Sequence, residues 1–155
     1  MNRPSVYESA GGAPAFRALA ADFHARCLVD EQLEHPFSHT GDPHHVEHLA
    51  EYWGEVLGGP PVYSTSRLGH SGMLDLHARN GMEPALGEAF VRCFDQAVEA
   101  TLPPDPELRG TLHAYMEWAV GEVKSYDAPD AVVPDGLPIP HWDWSGPVSA
   151  SVAGS

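Results

Sequence analysis

Apolar residues recur every three to four positions along most of this chain and cease to do so near its end. Phe16, Leu19, Ala20, Phe23 and Cys27 follow the i, i+3, i+4 rule of an amphipathic helix, which Pro14 introduces near its first turn. Val46, Leu49, Ala50, Trp53 and Leu57 predict a second helix that begins near Asp42 and Pro43 and stops at Gly58-Gly59-Pro60. A third carries Leu86, Ala89, Phe90, Cys93, Phe94 and Ala97, is entered through Glu83-Pro84 and is left near Pro103-Pro104. The fourth repeats Leu108, Leu112, Tyr115, Met116, Ala119 and Val123. Four such stripes with no alternating strand pattern predict an all-α domain. Residues 30–41 and 60–83 are long connections for a simple bundle, so irregular but ordered chain is expected there. After Tyr126 no apolar spacing repeats, and Pro, Gly, Ser and Asp crowd the sequence. The expected division is a domain over residues 1–126 and an irregular or disordered tail over 127–155. Trp142 and Trp144, in the tail's HWDW element, are an aromatic pair suited to docking on the domain or on a partner.

Charge narrows the partners. Among 155 residues there are one lysine and seven arginines, and the formal charge is -14. No basic stripe is left for a nucleic-acid backbone, and an acidic surface repels anionic lipid. No run approaches the roughly 18 apolar residues of a membrane span, and the N-terminal residues MNRPSVYESAGG lack the apolar core of a secretory signal. A cytoplasmic protein is the expectation. Cys27 and Cys93 sit among apolar residues at helical spacing, as small buried thiols do.

Histidine supplies the candidate chemistry. At about 100° per residue, Val46, Leu49, Trp53 and Leu57 fall within a narrow arc, and His44 and His48 land on the opposite side near Glu51 and Glu55. Those two histidines read as solvent-facing from that position, and a zinc site is disfavoured because no HExxH arrangement or third ligand at zinc spacing accompanies them. His45 lies on the flank of the stripe, and His24 has the same relation to its own helix. Periodicity leaves two readings open: half-buried boundary histidines, or two imidazoles facing one cavity.

The ordered signals resemble those of a truncated haemoglobin, the short globin family that folds as a two-over-two helical sandwich around haem. They run from Val6-Tyr7-Glu8 and Gly11-Gly12 through Phe23 and Pro36-Phe37 to Leu49. The run Gly58-Gly59-Pro60-Pro61-Val62-Tyr63-Ser64 follows, then His77 and the helix Phe90-Val91-Arg92-Cys93. The helix closed by Gly-Gly-Pro, with Tyr-Ser just beyond, is similar to the second group of that family.

The resemblance implies haem b held by His77 as proximal iron ligand, with Phe37, Leu49, Tyr63, Leu76 and Phe90 lining the pocket and Met73 and Leu74 near it. It implies distal contacts from His24 and His45, His45 being also the candidate sixth ligand. His24 stands where the family usually has a tyrosine, and Phe90 where the second group usually has tryptophan. A phenol O–H and an indole N–H are thereby lost, and His24 and His45 are left as the replacement donors. Arginines that pair with haem propionates are missing before His77, where Asp75 stands. Arg67, Arg79, His70 and Tyr63 are left as candidate clamps. The implied ligands are O2, NO and CO, with redox chemistry on them and a reductase as further expectations. A haem enzyme of a specialised pathway, a ligand-sensing module without turnover and a haem-free globin-fold module stay open as alternatives.

Overall fold

The computed structural model describes residues 3–34, 44–66, 69–79, 81 and 83–148. Seven helices lie among them. They are α1 (Val6–Ala10), α2 (Gly12–Val29), α3 (His45–Val56), α4 (Val62–Ser66), α5 (Gly69–His77), α6 (Pro84–Thr101) and α7 (Pro106–Lys124). Two short strands, β1 (His141–Asp143) and β2 (Gly146–Val148), follow. The four predicted stripes are α2, α3, α6 and α7. Asp42 and Pro43, the predicted start of the second helix, lie outside the described residues.

Local chemistry accounts for the helix ends. Ser5 and Glu8 form a capping box, the Ser5 hydroxyl accepting from Glu8 N at 3.1 Å, which starts a helix too short to persist alone. Gly11 and Gly12, at φ of 120° and 74°, turn the chain from α1 into α2 through backbone space that a side chain disfavours. Pro84 and Pro106 occupy the first turns of α6 and α7, where the missing N–H costs nothing. The Asp105 side chain accepts from Glu107 N at 3.0 Å.

Helix α2 packs on α3 and α6, and α6 packs on α7, giving the two-over-two sandwich. Phe23 sits at the junction. Its ring meets Trp53 at 5.3 Å, Phe90 at 4.8 Å and Phe94 at 6.2 Å, all edge to face. Three helices are thus fastened by one side chain, in the geometry that aromatic quadrupoles favour. Val6, Phe16, Leu19, Leu108, Leu112, Tyr115 and Met116 complete the interior.

Two expectations are corrected by the course of the chain. Glu55, placed on the wet side of its helix by the wheel, is only 3% exposed, and its Oε1 accepts the Ser64 backbone N–H at 2.9 Å. The chain that follows α3 folds back over this face as α4, and a buried carboxylate needs such a donor. The segment after Tyr126 is irregular as far as Pro140 and then forms an antiparallel hairpin with Trp142 opposite Pro147. Trp142 is buried against Tyr115 at 5.7 Å and Trp118 at 5.9 Å. Trp144 donates to Pro4 O at 2.9 Å beneath the Arg3 guanidinium. The two tryptophans are thus packed against the domain, Trp142 on α7 and Trp144 on the segment before α1.

The Gly-Gly-Pro stop has a packing reason as well. A Cβ on Gly59 would lie 2.7 Å from two Tyr7 ring carbons and 2.8 Å from Gly54 O. Because a backbone oxygen cannot retreat as a side chain can, Gly59→Ala is expected to cost about 2 kcal/mol. Equilibrium denaturation measures this, and an unchanged midpoint would refute the crowding argument.

Candidate functional site

The proximal candidate is set by the ladder of α5. His70 and Leu74 are buried, whereas Leu76 and His77 at the end of the helix are exposed, Leu76 by 68%. His77 Nδ1 lies 2.8 Å from Met73 O. A carbonyl can only accept, so the proton of the neutral ring is on Nδ1 and its basic lone pair is on Nε2. A carbonyl bonded to the far nitrogen in this way fixes the ring direction of a metal-ligating histidine. Beyond the helix, Arg79 adopts a left-handed φ of 61°. It is fixed there by its own N–H to Tyr126 O at 2.8 Å and by Nη1 to Ala131 O at 3.0 Å.

On the other side, α2 and α3 bring His24 and His45 together, Nδ1 to Nδ1 at 3.1 Å with ring centroids 5.0 Å apart. The boundary-histidine reading and the shared-cavity reading both required this flank placement; the contact itself is new. Burial holds the His24 pKa below its ordinary value, so the ring favours its neutral form. Between two neutral rings in Nδ1 contact, one donates and the other accepts. The donor keeps its lone pair on Nε2, and the acceptor carries Nε2–H. The pair therefore offers one basic and one acidic nitrogen.

Around these groups the apolar lining is partial. Val46, Leu49, Met73 and Phe90 are half-buried against the core. Tyr63 is buried with its ring edge on Tyr52 at 5.1 Å. Phe37 and Arg67 lie outside the described residues. His44 is exposed beside Glu47, as read, whereas His48 is half-buried instead of fully solvent-facing. A groove of about 920 Å³ between α6 and α7 shares none of these residues and is lined partly by Val91, Arg109 and His113.

The clamp expectation is corrected at two positions. Arg79 Nη2 is held by Asp75 Oδ1 at 2.6 Å, so both charges before and after His77 are spent on each other. His70 is 3% exposed and faces inward. Its Nδ1 meets the Tyr52 hydroxyl at 2.8 Å and its Nε2 meets Glu122 at 3.1 Å. Sequence reasoning missed this trio. Its signal was the seven-residue spacing, which puts His70 on the side of His77 and Glu122 below the buried Tyr115.

Two pairs of crossed helices, with a histidine-bearing short helix between them in the chain, define a truncated globin. A family model described as bacterial-like globin matches residues 5–121, and the chain belongs to that family. A group 1 truncated haemoglobin from Tetrahymena pyriformis is 33% identical over 76 residues, which is 47% of this chain and 63% of that protein. The chain thus spans less than two thirds of the length of that curated relative. Among solved structures, a haemoglobin from the thermophilic phototrophic bacterium Chloroflexus aurantiacus is 29% identical with a TM-score of 0.68, over 78% of this chain and 98% of its own. The group II 2-on-2 haemoglobin of Agrobacterium tumefaciens is 25% identical with a TM-score of 0.69, over 80% and 96%.

The globin family implies haem, and the residues present fit it. Among the described residues no group of three or more His, Cys, Asp or Glu is gathered to hold a metal ion. One oriented imidazole is sufficient for a metal that brings four porphyrin nitrogens of its own. The exposed Leu76 and the half-buried Val46, Leu49, Met73 and Phe90 are the apolar surface such a ring would cover. Nitrogen-15 NMR of the histidine-labelled chain should find His77 protonated at Nδ1 and His24 and His45 in opposite tautomers. The same tautomer on both distal rings would rule out the shared proton.

Proposed function

We propose that this chain holds haem b through His77 Nε2 and binds a diatomic gas, O2, NO or CO, on the side of His24 and His45. The observation that carries the reading is the Nδ1–H of His77 bonded to Met73 O, which leaves Nε2 as the basic atom. When bound, haem supplies an open coordination position and one-electron chemistry at iron. His77 keeps its ring direction through the Met73 carbonyl. Leu49, Val46 and Phe90 keep water away from the gas side, with Phe37 expected to join them, and Met73 and Leu76 cover the proximal side.

His24 and His45 replace the phenol and indole donors usual in the family. Whichever ring accepts at Nδ1 holds a proton at Nε2 and donates it in a hydrogen bond to a bound gas. If His45 is instead the Nδ1 donor, its Nε2 lone pair is the basic atom that would bind the iron of a bound haem in place of a gas. Conversion of NO to nitrate or reduction of peroxide on such a site consumes electrons, and a reductase is the partner that repeated turnover requires.

Reconstitution with haem followed by absorbance spectroscopy tests the reading. Wild type should take up haem stoichiometrically, and His77→Ala should lose or alter the proximal signature; an unchanged spectrum in that variant would overturn the proximal assignment. A six-coordinate low-spin ferrous form that becomes five-coordinate in His45→Ala identifies His45 as sixth ligand. A five-coordinate wild type assigns it to hydrogen bonding instead.

A further inference from the structure

Tyr52, His70 and Glu122 form a polar chain through the interior that gas binding does not use. Tyr52 Oη lies 2.8 Å from His70 Nδ1, and His70 Nε2 lies 3.1 Å from Glu122 Oε1. A carboxylate only accepts, so His70 carries its proton on Nε2, and Nδ1 is the base that receives the phenol O–H. A hydrolytic triad has the same wiring, in which the carboxylate fixes the tautomer and steadies the imidazolium once a proton arrives. Here the terminal hydroxyl is a phenol, and Tyr52 and His70 are only 8% and 3% exposed. No substrate reaches them. Burial also drives the Tyr52 pKa far up, which excludes a standing phenolate. An electron can still leave such a ring, provided that the proton has a base beside it.

The placement suits that use. Tyr52 follows His45 by seven residues on α3, and His70 precedes His77 by seven on α5. Seven residues are two turns, about 10 Å of helix axis on the same side. The pair is therefore joined to both candidate axial histidines by short runs of rigid helix. On α7, Tyr115 lies two turns before Glu122 and meets Trp142 edge to face at 5.7 Å, and Trp142 meets the half-buried Trp118 at 5.9 Å.

We propose that Tyr52 is a redox-active tyrosine whose proton is taken by His70, and that it serves the haem site as an electron relay. The relay rests on the haem reading; the redox-active pair does not. With haem bound and hydrogen peroxide as oxidant, the oxidised haem would take one electron from the Tyr52 ring and be reduced by one electron. The O–H bond breaks, an N–H bond forms at His70 Nδ1, and the products are a neutral phenoxyl radical and an imidazolium beside the Glu122 carboxylate. A one-electron donor at the Trp118 surface restores the phenol, and the proton returns from Nδ1. The function gained is the removal of surplus oxidising equivalents from the iron site.

Two oxidations of the full chain test this. Haem-loaded protein is treated with hydrogen peroxide and freeze-quenched for electron paramagnetic resonance. Chain without haem is oxidised by flash photolysis with a ruthenium trisbipyridine sensitiser and persulfate. In both, a tyrosyl signal should form and fall about tenfold in Tyr52→Phe, while the haem spectrum of that variant stays that of wild type, which a merely structural role would not predict. His70→Gln keeps the phenol but removes the imidazole base, so radical formation should slow by about tenfold. A signal under flash oxidation together with no haem uptake supports the pair and removes the haem reading. Persistence of the signal in Tyr52→Phe, or unchanged rates in His70→Gln, would overturn the proposal.

Discussion

The nine-residue helix α5 carries His77 and is too short to be stable by its own hydrogen bonds, so the direction of that imidazole depends on what holds the helix. Four holds are visible. Leu74 is buried beneath it. His70 is tied to Tyr52 of α3 and Glu122 of α7. The Ser71 hydroxyl donates to Pro134 O at 2.7 Å and accepts from Leu137 N at 2.8 Å. Past the C-terminal end, Arg79 and Gly81 donate backbone N–H groups to Tyr126 O and Asp127 O. Two of these holds come from the segment after α7. That segment crosses both ends of α5 before its hairpin docks on Tyr115 and Trp118, so the placement of one histidine is decided by residues fifty and more positions away.

The charge balance has a related consequence. Half of the eight Lys and Arg side chains are engaged in these pairs: Arg3 with Glu107, Arg26 with Asp22, Arg79 with Asp75 and Arg92 with Asp30. Exposed pairs of this kind add little stability, about 0–1 kcal/mol each. Their effect is to leave a strongly acidic surface with little positive charge on show. On the proposed reading, haem, whose propionates are themselves anionic, would be retained by a bond from the His77 imidazole and by apolar contact, which would place the weight on Leu76, Met73, Leu49 and Phe90 and on the rigidity of α5.

The main helices were legible because each stripe reports burial against its neighbours, and a stripe of Phe16, Leu19, Phe23 and Cys27 has one solution. The flank position of His24 and His45 was legible for the same reason. Neither α5 nor the inward course of His70 could be read this way, since GHSGMLDLH has only Leu74 and His70 buried and shows no stripe. Glu55 failed on a general ground: a helical wheel knows the helix but not the segment that later folds over it. The hairpin was hidden because three-residue strands have no period to detect, and a buried Trp142 flanked by exposed His141 and Asp143 is the whole of the β1 pattern. The family resemblance supplied what periodicity lacked, namely a role for His77.

The two interior histidine contacts divide the proton chemistry of the chain between them. At His24 and His45 like nitrogens meet, so the contact by itself does not dictate which ring donates, and the outward nitrogens exchange roles only when the shared Nδ1 proton and the outward Nε2 proton both change rings. At His70 the partners differ: a carboxylate on one nitrogen and a phenol on the other permit one neutral tautomer only. The first arrangement gives the candidate distal pair one ring with Nε2–H and one with an Nε2 lone pair. The second keeps a base pointed at one phenol and shields it from water. A pair of like rings is suited to answering a changing ligand, and a chain of unlike groups to moving one proton in one direction.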